Sequence, residues 1–273
     1  MSFAKEAGLP YTTVSELVNE KKQLGKCSAD TVYAISKTLH VSMEELLLSD
    51  RSEDFPDRFH LNEKASLFLA KHNWDENVYC GMKMENRAVT FSQTKTILEG
   101  VNVPSVKLED ILAIRNMRDA WKYMFGTIGN RLDLDYIMHL NSLIARDEAL
   151  EWGVLRTGSV GISGTDYRPE VPVRENVEME LHRILSSYRT VTEKALDLFC
   201  FITYRQLFWD GNKRTALAAS NHLLLSHGCG LMTIKDANLE EFNRCLLSLY
   251  STGKKEELKS LLYQKAIFGI EVQ

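Results

Sequence analysis

The sequence predicts an all-α protein with a small β-hairpin flap, in which a large helical domain follows a small one. Three observations predict it: apolar residues recur at helical spacing through most of the chain, one segment alternates small and β-branched residues, and a charged, proline-containing stretch follows residue 48.

Residues 1–50 read as three or four short helices. Ser28 is placed to cap a helix whose Val32, Ile35 and Leu39 share one face, and Ser42 to cap another carrying Met43, Leu46 and Leu47. Residues 49–58 (SDRSEDFPDR) are charged and contain a helix-disfavouring proline, so the domain boundary is set there, with residues 51–60 as linker. Beyond it, Ala113, Met117, Ala120, Trp121 and Met124 recur at intervals of three and four. Between residues 153 and 172, Val160 and Ile162 alternate with small residues ahead of the turn-forming SGTD of residues 163–166. This is the segment that predicts a β-hairpin. Residues 193–205 are apolar nearly all round, as a central buried helix requires, and a second helix runs from about Asn212 to Ser226 and stops at Gly228.

The 273 residues, 44% apolar and 26% charged, are ordinary for a folded water-soluble chain and exclude disordered or fibrous classes. No run of 18 apolar residues occurs and no secretory signal pattern opens the chain, so a cytoplasmic protein with no membrane partner is expected. The five cysteines are odd in number and never spaced as CxxC, which argues for reduced residues rather than disulfides or a thiolate zinc site. A net charge of −4 gives no global field for nucleic acid, so any such binding must be local.

The segment AKEAGLPYTTVSELVN (residues 4–19) places a glycine-containing turn between two short helical stretches, the second rich in small polar side chains. With residues 27–48 it resembles the XRE or lambda-repressor-like helix-turn-helix family, whose recognition helix opens with a similar S/T-x-x-T-V/I-S pattern. The resemblance implies that Tyr11, Thr12, Thr13, Ser15 and Asn19 face DNA, with Lys21, Lys22 and Lys26 near phosphates. Against DNA binding, the family's first helix has no counterpart here, and five lysines without arginine face seven acids in residues 1–50. A small helical cap that mediates homodimerisation or contacts the larger domain is the alternative.

The run QLFWDGNKRTA (residues 206–216) carries the chemistry. A glycine turn feeding a helix start, with Asn212, Lys213 and Arg214 beside it, favours phosphate through free N–H groups and the helix dipole. Arg214 offers a planar two-point clamp, and Asp210 can hold a hard cation such as Mg2+, the remaining ligands being phosphate oxygens and water. An ordinary helix corner with Asp210 as cap is the competing reading.

The run is similar to the Fic signature H-P-F-x-D/E-G-N-G/K-R, matching at Phe208, Asp210, Gly211, Asn212 and Arg214, and its ending looks like the Doc branch. Glu85 and Asn86, followed by Thr90, Gln93 and Asn116, resemble the region of the family's inhibitory S/T-x-x-x-E-G/N motif. Residues 160–169 (VGISGTDYRP) resemble its flap. The resemblance spans residues 61–262 in consistent order, and it assigns a Fic/Doc domain to residues 61–273.

It implies transfer of AMP from ATP to a Tyr, Thr or Ser hydroxyl of a target protein, or of phosphate in Doc-like members. Mg2+ on Asp210, the Gly211 and Asn212 amides, Lys213 and Arg214 would hold the nucleotide, and the flap edge Ser159, Val160, Gly161, Ile162 and Ser163 would pair with the target. Two positions depart from the pattern. The family's proton-accepting histidine is Gln206, an amide that cannot act as a general base, and a positioned base is worth about 100- to 10,000-fold. The second motif arginine, usual partner of the inhibitory glutamate, is Leu217, and the inhibitory motif's leading Ser/Thr is Gly81. These departures predict weak transfer and a Glu85 that does not inhibit in the usual way. They leave open a catalytically lapsed, nucleotide-sensing transcriptional regulator, or removal of AMP with Glu85 orienting water.

Overall fold

The computed structural model describes residues 3–19, 21–22, 24–49 and 55–270. By its contacts the chain divides into two compact units, residues 1–54 with 188–190 and residues 55–187 with 191–273. The smaller contains α1 (Phe3–Glu6), α2 (Tyr11–Val18), a single 3-10 turn (Leu24–Lys26), α3 (Ala29–Leu39) and α4 (Met43–Ser49). As the spacing predicts, Val32, Ile35 and Leu46 join Leu24 in its core, whereas Leu39, expected on the same face, is exposed at the end of α3. The Ser28 hydroxyl caps α3 by accepting from the Thr31 amide at 3.4 Å.

The larger unit consists of α5 (Glu63–Met84), α6 (Phe91–Leu98), α7 (Leu108–Gly126), α8 (Leu134–Ile144), α9 (Arg174–Leu185), α10 (Val191–Arg205), α11 (Asn212–Ser226), α12 (Leu239–Thr252) and α13 (Glu256–Lys265). A short antiparallel pair, β1 (Leu231–Met232) with β2 (Ile267–Phe268), sets Leu231 opposite Phe268 and Met232 opposite Ile267. The all-α expectation therefore holds.

Every residue of α11 from Arg214 to Leu225 is buried, and the helix packs against α10, α5, α8 and α7. A helix so enclosed must satisfy its polar groups internally. Asn221 does so by donating to the Met232 carbonyl at 2.9 Å and accepting from the Met232 amide at 2.7 Å, which also fixes β1. Lys259 of α13 ties itself to α10 through Glu193 at 3.0 Å and Asp197 at 2.9 Å. The cysteines form no disulfide, and all but Cys27 are buried. Among the described residues no helix is long and apolar enough to cross a membrane.

The charge and proline of the segment predict a linker over residues 51–60. Residues 51–54 lie outside the described residues, whereas Phe55 and Phe59 pack on the core of the larger unit. Arg58 donates to the carbonyls of Tyr263 at 2.6 Å and Ile267 at 2.7 Å, and Asp57 accepts from the Thr192 amide at 2.7 Å at the start of α10.

The expected β-hairpin over residues 153–172 does not form: the segment contains no strand. Its two legs are joined by a side chain instead of a backbone ladder. Arg156, 1% exposed, donates to the carbonyls of Gly158 (2.5 Å) on one leg and Pro169 (3.2 Å) and Glu170 (2.6 Å) on the other. Five fixed donors in one plane let a single guanidinium do what several ladder bonds would, and alternation of small residues gives no signal of that.

Candidate functional site

The motif lies on the loop between α10 and α11, and the loop is built to hold an unusual backbone. Gln206 ends α10 in a left-handed conformation (φ 47°), and Gly211 opens α11 in another (φ 71°). At Gly211 a side chain would also meet Ile144 Cγ2 at 3.2 Å and Ala145 Cβ at 3.3 Å, so both conformation and space require glycine. Strain at a residue such as Gln206 persists only where neighbours over-determine it. Here Arg156 Nε donates to the Gln206 carbonyl at 2.5 Å, and the Arg156 amide to that of Leu207 at 3.0 Å. Asn212 clamps the loop from inside: its Oδ1 accepts from the Phe208 amide at 2.9 Å, and its Nδ2 donates to the Phe208 carbonyl at 2.8 Å and to Gln206 Oε1 at 3.1 Å. Phe208 is fully buried.

The Gln206 amide is engaged on both ends. Beyond accepting from Asn212, its Nε2 donates to the Thr203 carbonyl at 2.7 Å and to Tyr250 Oη at 3.3 Å. Burial, helped by the nearby Glu85 charge, raises the Tyr250 phenol well above its ordinary range, so that group takes no proton either. His182 and His222 line a separate cavity at the far end of α11 with His227, and none of the three lines the motif cavity.

Asp210 is half-exposed and accepts from the Gly211 amide at 2.6 Å. It borders a cavity of about 360 Å³ lined by Glu85, Arg87, Lys107, Asp110 and Arg214. Lys213 donates to the Met84 carbonyl at 2.6 Å at the end of α5 and pairs with Glu85 at 3.1 Å. Arg214, expected as the phosphate clamp, has a completely buried side chain whose two Nη atoms lie on Glu148 at 2.9 and 3.2 Å. Its Nε has no hydrogen bond and lies 3.9 Å from Glu85. Burial alone would lower its pKa; the Glu85 and Glu148 carboxylates outweigh that and raise it.

Glu85 therefore faces the motif cations, Lys213 foremost, in place of the absent arginine. Leu217 is wholly buried in apolar surroundings. Gly81 has its own reason to be small: a side chain there would meet the Met117 methyl at 3.0 Å and Arg214 Cγ at 3.6 Å.

Four further groups escaped the sequence reading. Glu148 and Arg87 form part of the cavity's charge network, and Arg156 carries no periodic signal. Asn141 donates to the Asp210 carbonyl (3.0 Å) and Thr215 Oγ1 (3.1 Å), and accepts from the Gly153 amide (2.9 Å). As a polar residue on the apolar face of α8 beside Ile137, Leu140 and Ile144, it left a trace in the pattern; the others did not.

A family model described as the Fic/DOC family matches residues 131–224. The chain carries a Fic/DOC family domain. Solved structures share its fold. A Fic family protein from Desulfovibrio desulfuricans matches with TM-score 0.60 at 16% identity, over 72% of this chain and 62% of that one. A Fic domain-containing signaling protein from Bacteroides thetaiotaomicron gives 0.60 at 17%, over 75% and 88%. Fic-1 from C. elegans (residues 134–508) gives 0.64 at 17%, over 88% and 74%. This chain thus spans less than two thirds of the Desulfovibrio chain. Among curated proteins no sequence matches. Within the Fic domain lie Asn141, Glu148, Arg156, the flap and the motif; Glu85, Asn86 and Arg87 precede the matched residues and reach the site through α5.

In the flap, Ser159, Gly161 and Ser163 are exposed while Val160 and Ile162 are partly covered, Ile162 against the core. In the smaller unit, Tyr11, Thr12, Asn19, Lys21, Lys22 and Lys26 are exposed and Thr13 and Ser15 half-buried. Asn19 turns back to donate to the Ser15 carbonyl at 2.7 Å.

Proposed function

We propose that the Fic domain binds an adenine nucleotide with Mg2+ in the motif cavity and transfers AMP, or alternatively phosphate, slowly to a Tyr, Thr or Ser hydroxyl of a target protein. The observation that carries this reading is the half-exposed Asp210 at the anion-favouring start of α11, beside Arg214 and Arg87 on one cavity. The residues fit Mg2+ held through phosphate. Among the described residues no group of three His, Cys, Asp or Glu could cage a metal, and Mg2+ commonly binds through one carboxylate plus phosphate oxygens and water. A bound Mg2+ would neutralise charge on the phosphates. The chain's own residues orient the nucleotide: the Gly211 turn and Asn212 fix the loop, and Lys213 adds a cation. The exposed edge at Ser159, Gly161 and Ser163 leaves backbone groups for an extended target segment to pair with. Transfer is slow because Gln206 accepts no proton.

One observation favours a second reading, a nucleotide-sensing regulator of the smaller unit: both ends of the Gln206 amide are already bonded within the protein. In that case Thr12, Asn19, Lys21 and Lys22 would contact DNA, with weak and steeply salt-dependent affinity given the acid excess.

Titration calorimetry of the full chain with ATP and with ADP, each with Mg2+, tests both readings. Binding weakened in Asp210→Ala and in Arg214→Ala is expected, and no binding at millimolar nucleotide removes both. Label from α- or γ-labelled ATP appearing on protein separates transferase from regulator, and AMP transfer from phosphate transfer.

A further inference from the structure

Arg214 and Arg87 are the arginines of the motif cavity, and one carboxylate holds both. Glu148 lies across the Arg214 fork at 2.9 and 3.2 Å and also pairs with Arg87, which reaches Asp110 at 2.9 Å on its other side. The Glu148 side chain is only 7% exposed. A planar guanidinium offers the same two-point geometry to a carboxylate as to a phosphate, so Glu148 occupies the seat that a phosphate would take. Arg214 nevertheless keeps an unbonded Nε in this buried place.

Glu148 is not carried by a helix. It belongs to the irregular segment of residues 145–153 that follows α8 and leads into the flap. That segment is tied to the motif at two more points: the Gly153 amide bonds to Asn141, which holds the Asp210 carbonyl, and Glu151 accepts from Trp209 Nε1 at 3.3 Å. On its far side Asn116 donates to Glu148 Oε1 at 3.2 Å and to the Arg146 carbonyl at 2.7 Å.

We propose that Glu148 is a resident anion in the phosphate seat and that the segment carrying it is a latch between that seat and the flap. A polyphosphate entering the cavity displaces Glu148 from Arg214 and Arg87, the arginines take the phosphates, and the freed segment 145–153 loosens the start of the flap. Arg87 thereby serves as the second phosphate cation that Leu217 cannot be. This rests on the nucleotide reading of the cavity. By linkage, whatever frees Glu148 raises nucleotide affinity by the same factor with which nucleotide frees the segment.

The test is hydrogen–deuterium exchange on the full chain, wild type and Glu148→Gln, each alone and with Mg2+–ADP, alongside calorimetry. Nucleotide is expected to speed exchange of residues 145–158 in the wild type. Glu148→Gln should show that faster exchange without nucleotide and bind nucleotide roughly tenfold tighter. Unchanged exchange in the variant, or affinity that is unchanged or weaker, overturns the latch even where the wild type binds nucleotide well. Fast exchange in the variant with no nucleotide binding to either protein overturns the nucleotide reading and the phosphate seat with it, leaving Glu148 as a structural tie of the segment only. Should Glu148→Gln exchange fast throughout α10 and α11, its fold has failed and Arg87→Gln decides: faster exchange confined to residues 145–158 supports the latch, and none overturns it.

Discussion

At the scale of single residues, the question is what Gln206 does where the family motif has histidine. Its amide bridges the Thr203 carbonyl, Tyr250 and Asn212, so it serves the loop's shape and has no protonation change to offer near neutral pH. An imidazole is similar in reach and can keep one of these bonds while leaving a ring nitrogen to titrate near pH 6.5. Gln206→His is therefore expected to raise label transfer, to itself or to a target, by at least roughly tenfold, within what a positioned base contributes. Transfer from α-labelled ATP, followed on a gel, measures it. Wild-type transfer already equal to the variant's would mean that the proton leaves by another route. A silent variant that still binds nucleotide would favour the regulator.

At the scale of elements, the helices were legible and the flap was not, for a physical reason. Periodicity reports which face of an element meets the core, so α11 and the neighbours of Met117 and Trp121 could be read in advance. A loop held by side-chain to backbone bonds leaves no period. The flap depends on Arg156, which burial disfavours as a charge and which donates to five carbonyls, those of Gln206, Gly158, Pro169, Glu170 and Arg205. Bonds from a charged donor contribute about 1.5–3 kcal/mol each, and a lysine cannot span both legs as the planar fork does. Arg156→Lys is expected to lower unfolding stability by about 2 kcal/mol and to open residues 158–168 to proteolysis ahead of global unfolding. Cleavage elsewhere first, or at the wild-type rate, would show that the flap is held by its packing instead. Glu148 has no periodic signal for the same reason as Arg156: its partners are 32, 61 and 66 residues away in sequence.

At the scale of the whole molecule, the sequence placed the start of the large domain at residue 61, because residues 49–58 are charged and contain a proline. Composition describes solvent preference, not partners, and here the charged residues are the ones that bind. Asp57 accepts from the Val191 and Thr192 amides at 3.3 and 2.7 Å, meeting donors that a helix start leaves open and placing a negative charge at the positive end of the α10 dipole. Arg58 donates to two carbonyls beside β2, and its guanidinium lies 4.5 Å from the Tyr263 ring centroid. Phe55 meets the same ring edge-on at 5.4 Å, and Phe59 packs where Gly230 and Gly269 leave room for it. A cap of this kind is worth about 0.5–2 kcal/mol, charged donors to carbonyls about 1.5–3 kcal/mol, and each aromatic side chain, if fully covered, about 1.5–3 kcal/mol. The two rings are only partly covered and such terms do not add fully, so the segment is expected to contribute about 4 kcal/mol. Two truncations measure this: a chain beginning at Phe55 and one beginning at Leu61, compared by urea denaturation. The first should unfold cooperatively with the higher midpoint, and the second should lose most of that margin or fail to accumulate as folded protein. Equal midpoints would return residues 55–60 to the role of linker and require another source for the order of the α10 start.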